Sequence, residues 1–387
     1  MQYRIDKTSG NKLSILGLGC MRFSRDKAET ERMILTAIKN GVNYFDTAYI
    51  YPGSEKTLGE ILAKHSKRKS VHIATKLPLM MCKRPEDFDQ FFNESLRRLQ
   101  TEYIDYYFMH NISSYTQWRS LQEMGIEDWI ANKKKSGEIR SVGFSYHGTS
   151  EDFPKILDTS SWEFCMIQYN YSDENYQAGK AGLKAAAEKG LTVMIMEPLL
   201  GGVLATGLPG QAVELFKQAN SALSPADWAF RWLWSQEEIV TVLSGMNTTE
   251  QMESNIQAAS QFEPLSDKEM TLYDQALKLF KESYKINCTS CNYCLPCPKG
   301  INIPACLSAY NTSYVQSYSK GMQLYLTSTA ATTKNPYRPH LCNQCGKCEK
   351  ACPQNISIRK SLKKVGRRFE PQPLRAILSL AQRTLFR

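Results

Sequence analysis

The sequence predicts an α/β protein: a (β/α)8 TIM barrel followed by a small, mostly helical, cysteine-rich domain. Eight short apolar runs alternate with amphipathic stretches between residues 13 and 262, the rhythm and size of a parallel barrel. Eight of the twelve cysteines then fall in two tight clusters, 288–297 and 342–352. The 387 residues, 42% hydrophobic and 22% charged, suit one large domain with a smaller one and exclude disorder as the main state.

The strand candidates, compact and rich in β-branched or aromatic residues, are 13–18, 42–45, 71–75, 104–109, 139–144, 164–169, 191–196 and 239–243. Helical stretches 28–39, 55–64, 88–99, 118–135, 179–189 and 226–235 lie between them. The opening segment, with Ser9-Gly10-Asn11 in its middle, reads as a hairpin closing the barrel floor. Ser266 and Glu269 form a capping box for a helix over 266–283. The expected boundaries are 1–262 for the barrel, 263–286 for a connecting helix, 287–360 for the cysteine domain and 361–387 for a basic tail. In that tail Leu374, Ile377, Leu378, Ala381 and Leu385 share a helical face.

Charge and targeting signals narrow the function classes. Residues 359–387 carry nine Lys or Arg against Glu370 alone, +8 of the net +10, so the body is near neutral and does not read as a nucleic-acid binder. No run of 18 apolar residues is present. The N-terminus lacks a signal-peptide h-region, and a long unsecreted chain points away from a disulfide framework. A reducing cytoplasm is the expected location.

Chemistry in such a barrel belongs where strands end. Strand two ends in Asp46 with Tyr51 in the following loop, strand three in Lys76, strand four in His110 and strand five in Ser145; strand six carries Gln168. A tyrosine hydroxyl, with an ordinary pKa of about 10, is a poor acid at neutral pH. A neighbouring ammonium favours its phenolate, a carboxylate holds the ammonium, and a histidine can donate to a carbonyl oxygen. Together they can protonate an oxyanion while a hydride reaches carbon. Tyr115 and Trp118 are candidate pocket walls.

With these residues in place, 13–262 resembles the aldo-keto reductase superfamily, whose members use an Asp–Tyr–Lys–His tetrad. The resemblance implies Asp46, Tyr51, Lys76 and His110 as catalytic residues and NAD(P)H as cofactor. It further implies nucleotide contacts from Gly19, Met21, Arg22, Ser145, Gln168, Met196, Pro198, Leu199, Ser244, Gly245, Met246, Thr248, Gln251 and Asn255. Three departures from the family pattern stand out. Tyr146 stands where many members have Asn, and Met196 where an aromatic often stacks on nicotinamide. Gly245 and Gln251 replace the Lys and Arg that hold a 2′-phosphate.

The second cysteine cluster is C-x2-C-x2-C-x3-C-P, the bacterial ferredoxin run for a [4Fe–4S] cluster. The first, Cys288-Cys291-Cys294-Cys297-Pro298, is one residue shorter in its last gap. Zinc is the alternative metal. In two-cluster ferredoxins the fourth cysteine of each run serves the other cluster. That rule groups Cys288, Cys291, Cys294 and Cys352, and then Cys342, Cys345, Cys348 and Cys297; Cys306 reads as a buried thiol. The whole chain thus resembles aldo-keto reductases with a C-terminal ferredoxin-type domain. The expected function is hydride transfer between nicotinamide and a small carbonyl or alcohol, with two clusters for electron transfer or structure. Candidate partners are a ferredoxin-like redox protein and, through the basic tail, a membrane surface. The rival is an electron-transfer or regulatory protein whose barrel is a nicotinamide-binding docking platform.

Overall fold

A computed structural model of the protein describes residues 1–329 and 337–372. The chain divides into two compact units, 1–198 with 229–265, and 199–228 with 266 onward.

The first unit is the barrel. Its hairpin pairs β1 (Tyr3–Ile5) with β2 (Lys12–Ser14). Eight parallel strands then close on themselves: β3 (Leu16–Gly19), β4 (Tyr44–Asp46), β5 (His72–Leu77), β6 (Ile104–Ile112), β7 (Ile139–Tyr146), β8 (Phe164–Gln168), β9 (Thr192–Met196) and β10 (Ile239–Ser244). The predicted (β/α)8 architecture is therefore the observed one. Leu13 pairs with Arg4 in the hairpin, so the first barrel strand begins at Leu16 rather than at 13. Large side chains fill the interior: Tyr106 meets Tyr44 and Phe164 edge-on, and Phe108 meets Phe164. Asp6 plugs the floor; its buried carboxylate accepts from the hydroxyls of Tyr106, Thr8, Ser9 and Thr192.

The stretch 118–135, expected as one helix, is two, Tyr115–Glu123 and Ile126–Ser136. Gly125, with φ of +82°, sits between them in a left-handed conformation that only glycine adopts freely.

The second unit begins with chain that leaves the barrel after β9. Helix Gly210–Ala219 packs on helix Asp267–Ser283, whose Ser266–Glu269 capping box is formed. Phe216 stacks on Trp228 with ring centroids 5.2 Å apart, and the Tyr273 hydroxyl donates to Trp228 O. Helices Ile303–Val315, Tyr318–Ser328 and Ile358–Phe369 enclose a separate core that includes Leu307, Tyr325, Leu362, Val365, Phe369 and the fully buried Cys306. Glu370 is buried beside them, accepting from Tyr325 and paired with His340 at 3.0 Å. The apolar stripe expected from Leu374 to Leu385 lies outside the described residues. Among those described, no helix is long and apolar enough to cross a membrane.

Candidate active site

Four side chains meet at the ends of adjacent strands. Asp46 closes β4 and Lys76 lies near the end of β5; both are buried, and Lys76 Nζ donates to Asp46 Oδ1 at 2.6 Å and to Thr47 O at 2.6 Å. Burial lowers the Lys76 ammonium and raises the Asp46 carboxyl from their ordinary values, and the pair's mutual attraction offsets part of both. The ammonium lies 5.2 Å from the centre of the Tyr51 ring. His110, on β6, stands edge-on to that ring with centroids 6.1 Å apart. A phenol, an ammonium, a carboxylate and an imidazole thus lie together at one end of the barrel, and the set can move a proton to an oxygen placed among them.

Most of the residues expected to contact nucleotide lie at or soon after the C-terminal ends of the barrel strands. Ser145 is buried at the end of β7, its hydroxyl accepting from Asn111 N at 2.8 Å. Gln168 is buried at the end of β8, its amide donating to Asp173 at 3.3 Å. Gly19 ends β3, and a Cβ there would lie 3.2 Å from Ser244 O. Met21 and Arg22 follow it in a short turn. Asn255 donates to the Ser244 hydroxyl at 3.0 Å, and Met246 is buried nearby in sequence. Gly245 is exposed. Thr248 caps helix Thr249–Ser260 by accepting from Gln251 N, while Gln251 Oε1 accepts from Asn247 N. Met196 ends β9 half-buried, with Pro198 buried two positions on; Leu199 belongs to the second unit. Of the candidate pocket walls, Trp118 is fully buried against Trp162, and Tyr115 is exposed.

Tyr146 turns away from the rim. Its hydroxyl donates to Thr149 O and its ring packs on Phe153. The next residue, His147, was not singled out by sequence, yet its ring acts on His110. Burial, then the Lys76 ammonium and His147, hold the His110 imidazole well below its ordinary value, and burial pushes His147 down to about 4. The run Ser145-Tyr146-His147 carried a usable signal: strand alternation puts positions 145 and 147 on one face. Glu29 was also missed. Its carboxylate accepts from Thr249 N at 2.5 Å, at the start of helix Thr249–Ser260, and pairs with Arg32. No local pattern could have joined residues 220 positions apart.

Two histidines that refuse protons when folded make stability pH-dependent. Their folded values lie below the unfolded value of about 6.5, so their contribution is complete above pH 6.5 and is lost as pH falls below it. Each costs about 1 kcal/mol at pH 5.5. Thermal unfolding followed by tryptophan fluorescence should therefore give a lower Tm at pH 5.5 than at 7.5.

The cysteine runs curl around hollows. Cys297, Cys342, Cys345 and Cys348, with Cys294, border a cavity of about 200 Å³. Cys288, Cys291, Cys294 and Cys352 border a tighter one. Burial and then the thiols of Cys291, Cys288 and Cys352 push Cys294 up to about 12. Ser290 and Asn292 in the first run, and Gln344 and Gly346 in the second, have positive φ. Such left-handed residues turn successive N–H groups into concavities of the kind that cradle iron–sulfur groups. Among the described residues, no three His, Cys, Asp or Glu side chains converge as a single metal ion requires.

The family model for the aldo/keto reductases matches residues 15–278, and that for a 4Fe-4S dicluster domain matches 287–357. The chain belongs to the aldo-keto reductase family and is an NAD(P)-dependent oxidoreductase of that type, carrying a C-terminal ferredoxin-type domain. Among its relatives is the L-glyceraldehyde 3-phosphate reductase of Escherichia coli K12, 26% identical over 71% of this chain and 92% of that protein. An NAD/NADP-dependent indole-3-acetaldehyde reductase of Schizosaccharomyces pombe is 27% identical over 61% of this chain and 82% of its own length. The holo form of aldo-keto reductase AKR11C1 from Bacillus halodurans shares the fold, with TM-score 0.61 and 24% identity over 71% of this chain and 96% of that one.

Proposed function

We propose that this protein reduces small aldehydes or ketones, or oxidises the matching alcohols, through the tetrad. The observation that carries this reading is the buried Lys76–Asp46 pair beneath the Tyr51 ring, with neutral His110 alongside. The rim fits a polar ligand: Asp46 Oδ2, Asn111 Oδ1 and Tyr169 OH are buried there with no hydrogen-bond partner among the described residues. When bound, nicotinamide supplies or takes the hydride. Tyr51 gives its proton to the substrate oxygen, Lys76 stabilises the phenolate left behind, and Asp46 anchors the ammonium. His110 is neutral and donates to the same oxygen without adding charge.

Two [4Fe–4S] clusters are proposed on the crossed ligand sets, Cys288, Cys291, Cys294 with Cys352 and Cys342, Cys345, Cys348 with Cys297. The two hollows and the dicluster match support this. Tetrahedral zinc, with Zn–S of about 2.3 Å, would instead draw four sulfurs to within about 4 Å of one another. Bound clusters pass single electrons, and a ferredoxin-like protein is the proposed partner.

At the nucleotide's adenosine end we propose a 2′-hydroxyl rather than a 2′-phosphate. Gly245 and Gln251 offer no cation, and Glu29 places a carboxylate on the helix N-terminus. Hydrogen bonds from Thr249 and Arg32 keep that carboxyl below its ordinary value, hence charged. Stopped-flow mixing of anaerobic protein, loaded with NADH or with NADPH, against a panel of carbonyls tests both points. Cofactor oxidation, with NADH binding tighter by about ten-fold, is expected. A protein that oxidises neither nucleotide with any carbonyl, yet accepts electrons from a ferredoxin, is a docking platform instead. Tighter NADPH binding would overturn the Glu29 assignment.

A further inference from the structure

We propose that His147 positions the substrate by holding a second oxygen, one or two carbons from the carbonyl engaged at Tyr51 and His110. The favoured substrates are then small carbonyls with a neighbouring hydroxyl. The inference rests on the tetrad reading above and extends it to the substrate class.

Strand geometry places the ring. Along β7 the side chain of Ser145 faces one way and those of Phe144 and Tyr146 the other, and His147, just past the strand's end, continues the side of Ser145. Tyr146 is committed to the opposite face by Thr149 O and Phe153. Asn111 N donates to Ser145 Oγ, and His147 N donates to Ile112 O at 3.1 Å. His147 therefore lies beside the end of the strand that carries His110, about 7 Å beyond Ser145 toward the barrel mouth.

The chemistry of the ring is equally specific. Gln177 lies close enough to the ring to favour its charged form, against the burial that disfavours it. Nδ1 is buried and has no partner among the described residues, and the same is true of Asn111 Oδ1 on the neighbouring strand. Buried polar atoms are normally paired, so two orphans beside one catalytic histidine call for a polar ligand. A hydroxyl both donates and accepts, so with the proton on Nδ1 it accepts from the ring and donates its own proton to Asn111 Oδ1, satisfying both. An alkyl group would leave both unpaired, a penalty sites use to reject analogues lacking a hydroxyl.

The test compares kcat/KM for glyceraldehyde and propanal, three-carbon aldehydes that differ in their hydroxyls, using anaerobically purified holoprotein and NADH. The wild type should favour glyceraldehyde by about ten- to a hundred-fold. His147→Leu should bring that ratio toward one, and His147→Gln, which keeps polar atoms, should recover part of it. The dissociation constant for NADH, read by tryptophan quenching, should stay within about two-fold in both variants. An unchanged ratio in His147→Leu, or no preference in the wild type, overturns the proposal. A variant that keeps the ratio but loses NADH affinity assigns His147 to nucleotide binding and also overturns it. If the wild type reduces neither aldehyde nor any other carbonyl, the tetrad reading fails first and this one falls with it.

Discussion

Tyr51→Phe should slow oxidation of bound nicotinamide by a carbonyl about 10²- to 10⁴-fold in single-turnover stopped flow. That is the usual worth of a positioned general acid. The ring is half-buried and keeps its neighbours when the hydroxyl is removed, so the loss is chemical rather than structural. Lys76 remains paired with Asp46 in the variant and has no phenolate to stabilise. A variant as fast as wild type would show that the proton comes from elsewhere, His110 being the next donor in reach.

Iron content offers the second large effect. Anaerobic wild-type protein should hold about eight irons per chain by the ligand count. The crossed ligand sets make double substitutions decisive. Cys288→Ala with Cys352→Ala removes two ligands of one cluster and should leave about four irons. Cys288→Ala with Cys297→Ala strikes both clusters and should leave far fewer. Uncrossed ligation reverses the two results, since Cys288 and Cys297 then share a cluster. Zinc in place of iron in the wild type defeats both versions.

The parts of this molecule that could be read from sequence are those whose cause is local. Apolar β-branched runs gave the strands, because a parallel strand covered on both faces must be apolar throughout. The cysteine spacing was legible for the same reason: three cysteines of each proposed set come from one short run. What stayed hidden depended on distant contacts or on one backbone angle. Gly125 divides a helix whose periodicity runs through it. Leu13 satisfies the pattern of a barrel strand, yet Arg4 pairs with it first. Helix Gly210–Ala219 lies in a stretch punctuated by Gly207, Pro209 and Gly210, signals that favour a loop. At the rim the tetrad positions were legible as polar ends of apolar strands, whereas His147 and Glu29 take their meaning from His110 and Thr249.

The chain between β9 and helix Pro225–Trp234 belongs to the cysteine-bearing unit, although it is flanked by barrel on both sides. Gly201 lies so close to Thr289, a neighbour of Cys288, that a Cβ would come within 2.1 Å of its carbonyl oxygen. Trp228 and Phe216 are buried in the same unit with Tyr273. Genes that join an enzyme to an electron carrier suggest two parts that recombination can separate at a linker. Here the boundary crosses the chain three times, after residues 198, 228 and 265. A barrel cut free at residue 265 would carry a 30-residue insertion stripped of its packing partners, with Trp228 and Phe216 turned out to water. A cut between them must fall beyond helix Asp267–Ser283 if Phe216 and Trp228 are to keep Tyr273 as a packing partner.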